Sequence, residues 1–335
     1  MANVANNSIA ATYGGAQLNE LFYEPVFRSD DIMRNYRVIP NVKHKMNVYT
    51  SAALTKIVDP YTACSATSGS TQFNIDDKVI TAGRCRVALE QCTDEFFGTY
   101  IEEMYRNGAD VMNVEGTQLG DAIVNRAVKG IGSDVVRLAW GGDASTPNYK
   151  GVTGWMKLMG DDATVDGAKS TLTVVDPAAP TATEAINLIR KAYDAAPAAL
   201  QQVPTSDKKI FVTSKMFNAY LANLEGSSAD LAIVNTVEGY TRVSFRGVQI
   251  VPMYEWDTIL ADLNPVIMKS GGHEATEGLC YCAVENLIIG TDVTDPEGSF
   301  KVFYDDLEEK MFFRGYFKLG VQFLYPSLVQ WGLLK

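Results

Sequence analysis

Residues able to perform metal or nucleophilic chemistry are scarce in this sequence. Only two histidines, His44 and His273, occur among 335 residues, so a site that needs several imidazoles is excluded. His273 opens the segment HEATE, which begins like a zinc-protease helix but carries Glu277 where the second histidine would stand. We interpret this segment as an exposed loop.

The cysteines also fall short of a metal-binding pattern. Cys280 and Cys282 are two positions apart on a predicted strand and so share one face, but no second Cys or His pair stands nearby in the sequence. Five cysteines in a long chain, with Cys64, Cys85 and Cys92 completing the set, are typical of reduced and mostly buried thiols.

Motifs for phosphate binding and for nucleophilic catalysis are absent. The sequence contains no GxGxxG, no Gly-Lys-Ser/Thr phosphate loop and no GxSxG. The Gly-rich passage at 141–154 lacks the following apolar helix, and we interpret it as a boundary between structural regions. Asp pairs at 30/31, 76/77, 161/162 and 305/306 are typical of solvated turns, although such pairs can bind divalent ions. The sequence predicts no catalytic, metal or cofactor site.

The overall composition is that of a globular, acidic protein. The net charge of −11 argues against a generally basic surface for nucleic acid, although a few local Arg or Lys residues could still contact it. The first twenty residues lack a basic segment followed by an apolar one, and no apolar run approaches the ~20 residues that span a bilayer. We expect a protein made in a cytoplasm, with no membrane partner.

The first half of the chain predicts an extended arm followed by a long hairpin and helices. Residues 1–44 have weak periodicity, whereas 45–58 and 73–92 read as two long strands joined by a small-residue loop. We expect a helix after Thr93, with Phe97, Ile101 and Met104 at helical spacing, a second helix over 117–131 and a strand at 135–140. In the returning strand, one face is predicted to carry Val79, Cys85, Val87 and Leu89, and the other Lys78, Arg84, Arg86 and Glu90.

The second half alternates helices and strands. Thr181 and Glu184 stand at capping-box spacing before a helix, and Ser214 is predicted to cap another helix after a strand at 208–213. Further strands are predicted at 246–254, 279–290 and 299–304. Together these elements indicate an α+β fold.

The last strand is unusually long. Alternation over 310–325 places Phe313, Phe317, Leu319 and other apolar residues on one face, and Arg314 and Lys318 on the opposite face. At ~3.3 Å per residue such a strand reaches roughly 50 Å, about twice or more the ordinary length.

The order of these parts resembles the major capsid protein of tailed bacteriophages, the Hong Kong 97-type fold. Three patterns accompany that order: IFVTSKMFNAYLANL, the strand RGVQIVPM, and NLIIGTD leading into FKVFYDDLEEKMFFRGYFKLGVQFLYP. The resemblance covers essentially the whole chain. It implies an N-terminal arm at 1–44, an extended loop at 45–92 that overlies a neighbouring subunit, a peripheral domain at 93–155 and 290–335, and an axial domain at 156–289.

The resemblance also implies a function. The chain would be a structural protein, not an enzyme, that assembles into hexamers and pentamers of an icosahedral phage head in the host bacterial cytoplasm and encloses double-stranded DNA. It would use no cofactor, and its partners would be copies of itself, with scaffolding, portal and decoration proteins. We expect Arg84, Arg86, Arg314 and Lys318 to make subunit contacts, against the alternative of simple solvation.

Two alternatives remain open at this stage. An encapsulin-like bacterial nanocompartment would keep the fold and enclose an enzyme in place of a genome. A cytoplasmic enzyme with its site in 156–289 is the other, but the scarcity of His and the missing motifs give it no positive support.

Overall fold

The computed structural model describes residues 11–13, 26, 30–51, 75–92, 118–162, 181–226, 233–234, 242–263, 269–270, 273–274, 276–292, 300–305 and 310–334. The helices are α1 (Asp30–Asn35), α2 (Gln118–Gly141), α3 (Trp155–Asp161), α4 (Ala182–Asp194), α5 (Ala198–Gln202), α6 (Ser214–Gly226) and α7 (Tyr254–Leu263). The strands are β1 (Ala11–Tyr13), β2 (Arg37–Ile39), β3 (Lys45–Ser51), β4 (Ile75–Thr81), β5 (Gly83–Cys92), β6 (Lys208–Val212), β7 (Ile233–Val234), β8 (Arg242–Phe245), β9 (Val248–Pro252), β10 (Lys269–Ser270), β11 (His273–Glu274), β12 (Glu277–Ala283), β13 (Leu287–Thr291), β14 (Phe300–Asp305), β15 (Lys310–Phe323) and β16 (Val329–Leu334).

The first sheet is organised around β15, the long strand that the sequence predicts. β15 pairs antiparallel with β5 over ten residue pairs, with β14 near its start and with β13 near its end. β1 and β2 extend this sheet, β2 in parallel to β13. The apolar face is confirmed as core, because Phe313, Leu319, Val321 and Phe323 are all buried.

The second sheet has the order β16-β12-β6-β9-β8-β7. The strand predicted at 208–213 is confirmed as β6, every residue of which is buried. α4 and α6 cover one face and bury a separate apolar cluster that includes Leu188, Met216 and Tyr281. The capping box of α4 is confirmed: the Thr181 hydroxyl accepts a hydrogen bond from the Glu184 N–H, and the Glu184 carboxylate accepts one from the Thr181 N–H.

Two connections cross between the sheets at one point. β12 runs into β13 through a single 3-10 turn at 284–286, and β15 runs into β16 through another at 326–328. The Asn286 side chain joins the crossings: its Oδ1 accepts hydrogen bonds from the N–H groups of Leu324 (3.1 Å) and Tyr325 (2.7 Å), and its Nδ2 donates to the Tyr325 carbonyl (3.0 Å). The predicted strand at 279–290 is therefore two strands in different sheets.

An aromatic core lies where the elements of both sheets meet. All four tryptophans of the chain, Trp140, Trp155, Trp256 and Trp331, are fully buried there. Tyr36 stacks on Trp155 at 5.1 Å between ring centroids, and its hydroxyl accepts a hydrogen bond from the Trp140 indole at 2.9 Å. Such aromatic contacts contribute beyond the area they bury, so this cluster ties the N-terminal segment to both sheets.

One sequence prediction is wrong in its periodicity. The predicted strand at 135–140 is the end of α2, because Val128, Ile131, Val135 and Ala139 are buried at helical spacing.

The strand predicted at 246–254 is confirmed as β9, although β9 is shorter than predicted. A two-residue turn precedes it, in which Arg246 (φ 49°) and Gly247 (φ 82°) both have positive φ.

Several smaller predictions have mixed outcomes. The strand predicted at 299–304 is confirmed as β14, one residue displaced. α6 begins at Ser214 itself, so Thr213 occupies the capping position that the sequence assigns to Ser214. The helix expected after Thr93 lies outside the described residues, as does most of the 1–44 arm.

Candidate subunit-contact surfaces

Most side chains of the β3–β4 hairpin are exposed. The two strands pair in register from Lys45 opposite Thr81 to Ser51 opposite Ile75. Within the described residues neither strand pairs with a strand outside the hairpin. A lone two-stranded hairpin is marginal in water, so it needs a surface on which to lie.

One face of the hairpin rests on the body of the protein. Ile80 is fully buried in a small cluster with Val42, Ile288 and Leu324. On the same face the Lys78 ammonium lies 3.8 Å from the centre of the Phe323 ring. Burial is the main cause that lowers the pKa of Lys78, although its ion pair with Asp162 at 3.9 Å opposes this effect.

The opposite face points away from the body and is partly apolar. Tyr49 is 71% exposed, Ile75 64% and Val79 39%. The register places Tyr49 diagonally between Val79, which lies opposite Asn47, and Ile75, which lies opposite Ser51. These three side chains form one row, called here the outer stripe. Asp77, directly opposite Tyr49, is also exposed.

The sequence prediction assigned Val79 and Lys78 to the wrong faces. Val79 was expected on the apolar face with Cys85 and Lys78 on the polar face, but Lys78 faces the body and Val79 is exposed. The predicted strand is interrupted at Ala82, between β4 and β5, and the alternation of buried and exposed residues changes there. Before the break the buried residues are even-numbered (Ile80 and Ala82), and after it the buried residue Cys85 is odd-numbered.

The four predicted contact residues lie on one face of the β5–β15 ladder. Arg84 pairs with Lys318, Arg86 with Tyr316 and Ala88 with Arg314, so the four cations share one face with Tyr316, which is 40% exposed. Arg84, Arg86 and Arg314 are exposed, and we call this surface the basic face. The Arg84 guanidinium lies 5.5 Å from the Tyr316 ring centre.

Lys318 makes an ion pair within the chain. Its ammonium lies 3.1 Å from Asp292, whose side chain is 3% exposed. Arg314 lies over the Phe312 ring at 4.9 Å, and Glu90 at the far end of the face pairs with Lys310 at 3.7 Å. Arg84, Arg86 and Arg314 supply exposed guanidinium groups to the basic face.

The two cysteines of β12 lie in the core. Cys280 and Cys282 are confirmed as core residues, and burial raises the pKa of the Cys280 thiol well above its usual value. Over the residues that the structure covers, no group of three His, Cys, Asp or Glu side chains is placed to hold a metal ion. No helix in that part of the chain is both long and apolar enough to cross a membrane.

Sequence reasoning placed Arg84 with Arg86, and Arg314 with Lys318, on one face of their strands, but it did not predict that β5 pairs with β15, and it missed the outer stripe. The cations occupy every second position on β5 and on β15, so all four lie on one face once these two strands are paired. Tyr49 and Ile75 look like ordinary strand hydrophobics, and their exposure depends on which face of the hairpin meets the body. The available signal was that Tyr49 shares its face of β3 with the polar residues Asn47 and Ser51.

Comparison with known proteins gives a structural likeness only. No protein-family model and no curated protein matches the chain. A chain of the satellite phage P4 procapsid, solved with the size determination (Sid) protein, is 9% identical with a TM-score of 0.55 over 93% of this chain and 98% of that chain. A cyanophage P-SCSP1u capsid chain is 13% identical with a TM-score of 0.49 over 90% and 87% of the two chains. A chain of the native GTA particle capsid is 10% identical with a TM-score of 0.48 over 93% and 89%.

The match to the P4 procapsid chain has a TM-score above 0.5, and at 9% identity it is evidence about the fold alone. The mixed helix and sheet structure of this chain is a phage-capsid fold over nearly its whole length. This agrees with the family that the sequence resembles.

Proposed function

We propose that this chain is the major shell subunit of a phage head. The observation that carries the proposal is the likeness to a P4 procapsid chain over 93% of this chain and 98% of that one. The β3–β4 hairpin supports it, because a second molecule that covers its exposed outer stripe would stabilise it. The same likeness supports a structural, non-enzymatic role.

The proposed arrangement follows the Hong Kong 97-type layout. Residues 1–44 form the arm and 45–92 the extended loop, which overlies a neighbouring subunit through the outer stripe. The peripheral domain comprises 93–155 and 290–335, and the axial domain 156–289. The pairing of β16 with β12 means that the last strand would contribute to the axial domain.

Assembly would use many weak, repeated contacts between copies. Hexamers and pentamers would build an icosahedral shell around double-stranded DNA, which is held by enclosure, in the cytoplasm of the host bacterium. Arg84, Arg86 and Arg314 would contact carboxylates of a neighbouring copy, with Lys318 contributing its aliphatic stem beside them. Scaffolding, portal and decoration proteins complete the expected set of partners.

The test is assembly of the purified chain, alone or with a scaffold, followed by sedimentation and negative-stain microscopy. The wild-type protein should form capsomers or shells, and Tyr49→Asp should prevent this without unfolding the subunit, since Tyr49 is 71% exposed. Tyr254→Asp is the matched control, because Tyr254 is 66% exposed on α7, away from the hairpin. A strictly monomeric wild type, or a Tyr49→Asp variant that assembles normally, would contradict the proposal.

Cargo analysis of the particles separates a phage head from a nanocompartment. Particles formed in a bacterium that contain a protein cargo and no DNA would favour the encapsulin-like alternative.

A further inference from the structure

Tyr325 forms hydrogen bonds with two different parts of the subunit. Its hydroxyl accepts a hydrogen bond from the N–H of Ser51, the last residue of β3, at 3.2 Å. Its backbone N–H and carbonyl bond the side chain of Asn286 at 2.7 and 3.0 Å, and these bonds hold the crossing between the two sheets. One residue therefore connects the β3–β4 hairpin to the sheet crossing.

The residues at the end of β15, just before Tyr325, also hold the hairpin. The Gln322 side-chain amide donates a hydrogen bond to the Val79 carbonyl at 3.0 Å. The Phe323 ring lies 3.8 Å from the Lys78 ammonium. The same short stretch therefore completes the first sheet, supports the hairpin and leads into the crossing.

The apolar contact beneath the hairpin is small and separate from the two larger cores. Its buried members are Val42, Ile80, Ala82, Ile288 and Leu324. Ile80 belongs to the hairpin, Leu324 to the crossing, and Ile288 to β13 just after the crossing turn. Because so few side chains take part, this contact can open without exposing the aromatic core, which is the property of a local unfolding unit.

We propose that the hairpin and the sheet crossing form one cooperative unit, so that releasing the hairpin loosens the crossing and loosening the crossing releases the hairpin. The segment 322–325 is the element that both share. It bonds the hairpin through its side chains and the crossing through the Tyr325 backbone. A coupling free energy is reciprocal, so either end can be perturbed while the other is observed.

This coupling is a property of the single subunit and goes beyond the proposed function. It also gives a contact at the outer stripe a second effect. A neighbouring copy that binds the hairpin in this orientation would stabilise the junction of the two sheets as well. Only this last consequence rests on the proposed function.

The first experiment perturbs the crossing and observes the hairpin, by hydrogen exchange and mass spectrometry of the unassembled full chain. The side-chain hydrogen bonds of Asn286 go to Leu324 and Tyr325, so an effect of Asn286→Ala on the hairpin passes through the crossing. Exchange in 45–51 and 75–81 should become about 5-fold faster or more, because the crossing loses a buried hydrogen bond.

The control for a general loss of stability is Thr181→Ala. This substitution removes the capping box of α4 and should leave exchange in the hairpin at the wild-type rate. Hairpin exchange that is unchanged in Asn286→Ala, or equally fast in Thr181→Ala, would overturn the proposal.

The second experiment works in the reverse direction with a mild substitution that keeps the fold. Ile80→Val removes one buried methylene from the hairpin, which shifts an opening equilibrium by roughly 2- to 12-fold. Exchange in the crossing segments 284–286 and 324–328 should accelerate within this range. Val79→Ala truncates the adjacent residue on the exposed face of the same strand and should leave the crossing unchanged. Equal exchange of the crossing in Ile80→Val and Val79→Ala would contradict the coupling.

Neither experiment requires assembly. A chain that never assembles would therefore refute the proposed function, while the exchange rates alone decide whether the hairpin and the crossing are coupled.

Discussion

Asn286→Ala is expected to be among the most destabilising polar substitutions in this chain. Asn286 is 1% exposed and lies in the turn that carries the chain from β12 in the second sheet to β13 in the first. Its side chain holds the other crossing, between β15 and β16, through three hydrogen bonds to Leu324 and Tyr325. Removing it leaves the Tyr325 N–H without its partner at the junction of the sheets.

The magnitude follows from those bonds. The Leu324 N–H keeps a second acceptor, the Asn286 carbonyl at 3.2 Å, so its loss is partly compensated. The Tyr325 carbonyl loses its bond to the side chain at 3.0 Å but keeps the Leu328 N–H at 3.1 Å, so only the Tyr325 N–H, bonded at 2.7 Å, loses its partner. An unsatisfied buried group costs ~1–3 kcal/mol, so we expect the free energy of unfolding to fall by about 2 kcal/mol.

The assay is urea unfolding of the unassembled subunit, followed by tryptophan fluorescence. The midpoint should decrease without a change in the slope m, because the substitution does not alter the surface exposed on unfolding. Asn187→Ala is the control: Asn187 lies on the exposed side of α4, and its change should stay within ~0.5 kcal/mol. If Asn286→Ala and Asn187→Ala unfold at the same midpoint, the crossing is held by the aromatic core and not by Asn286.

Two further predictions concern β15 and its partner strand. Phe317→Asp should abolish soluble subunit, because Phe317 packs against the main core and the substitution would place a charge there. Arg314 is exposed, so Arg314→Ala should fold and at most weaken assembly. A Phe317→Asp protein that is soluble and assembles would show that the two faces of β15 are reversed. Burial raises the pKa of the Cys85 thiol from 9.0 to about 11, so the stability from its neutral form is complete below pH 9 and declines as the pH rises to about 11. Urea unfolding across this range should show a steeper loss for the wild type than for Cys85→Ala, and parallel curves would contradict it.

The long strand and the capped helix were predictable because local sequence decides them. β15 alternates over fourteen residues, and one face is apolar enough to need a core, so period and length both indicate a strand. Thr181 and Glu184 satisfy each other's backbone groups whatever surrounds them. Neither feature depends on distant residues.

Predictions failed where a distant contact decides the local structure. The segment 135–140 is a short apolar run that suits a strand as well as a helix, and only its continuity with Val128 and Ile131 on the core face of α2 selects the helix. The faces of β4 could not be assigned because the hairpin has no core of its own. They are set by Ile80, which packs on Val42 and Ile288.

The position of the basic face depends on one contact of this distant kind. A Cβ atom on Gly83 would clash with the carbonyl oxygen of Gly151, and Gly151 itself has φ 105°, so only glycine suits this close approach. Gly83 is the first residue of β5 and pairs with Leu319, so the contact fixes where the β5–β15 ladder begins. A shift of one residue would turn Arg84 and Arg86 toward the core. The Gly-rich passage at 141–154, interpreted from sequence as a boundary, therefore helps to set the register that brings the predicted cations onto one surface.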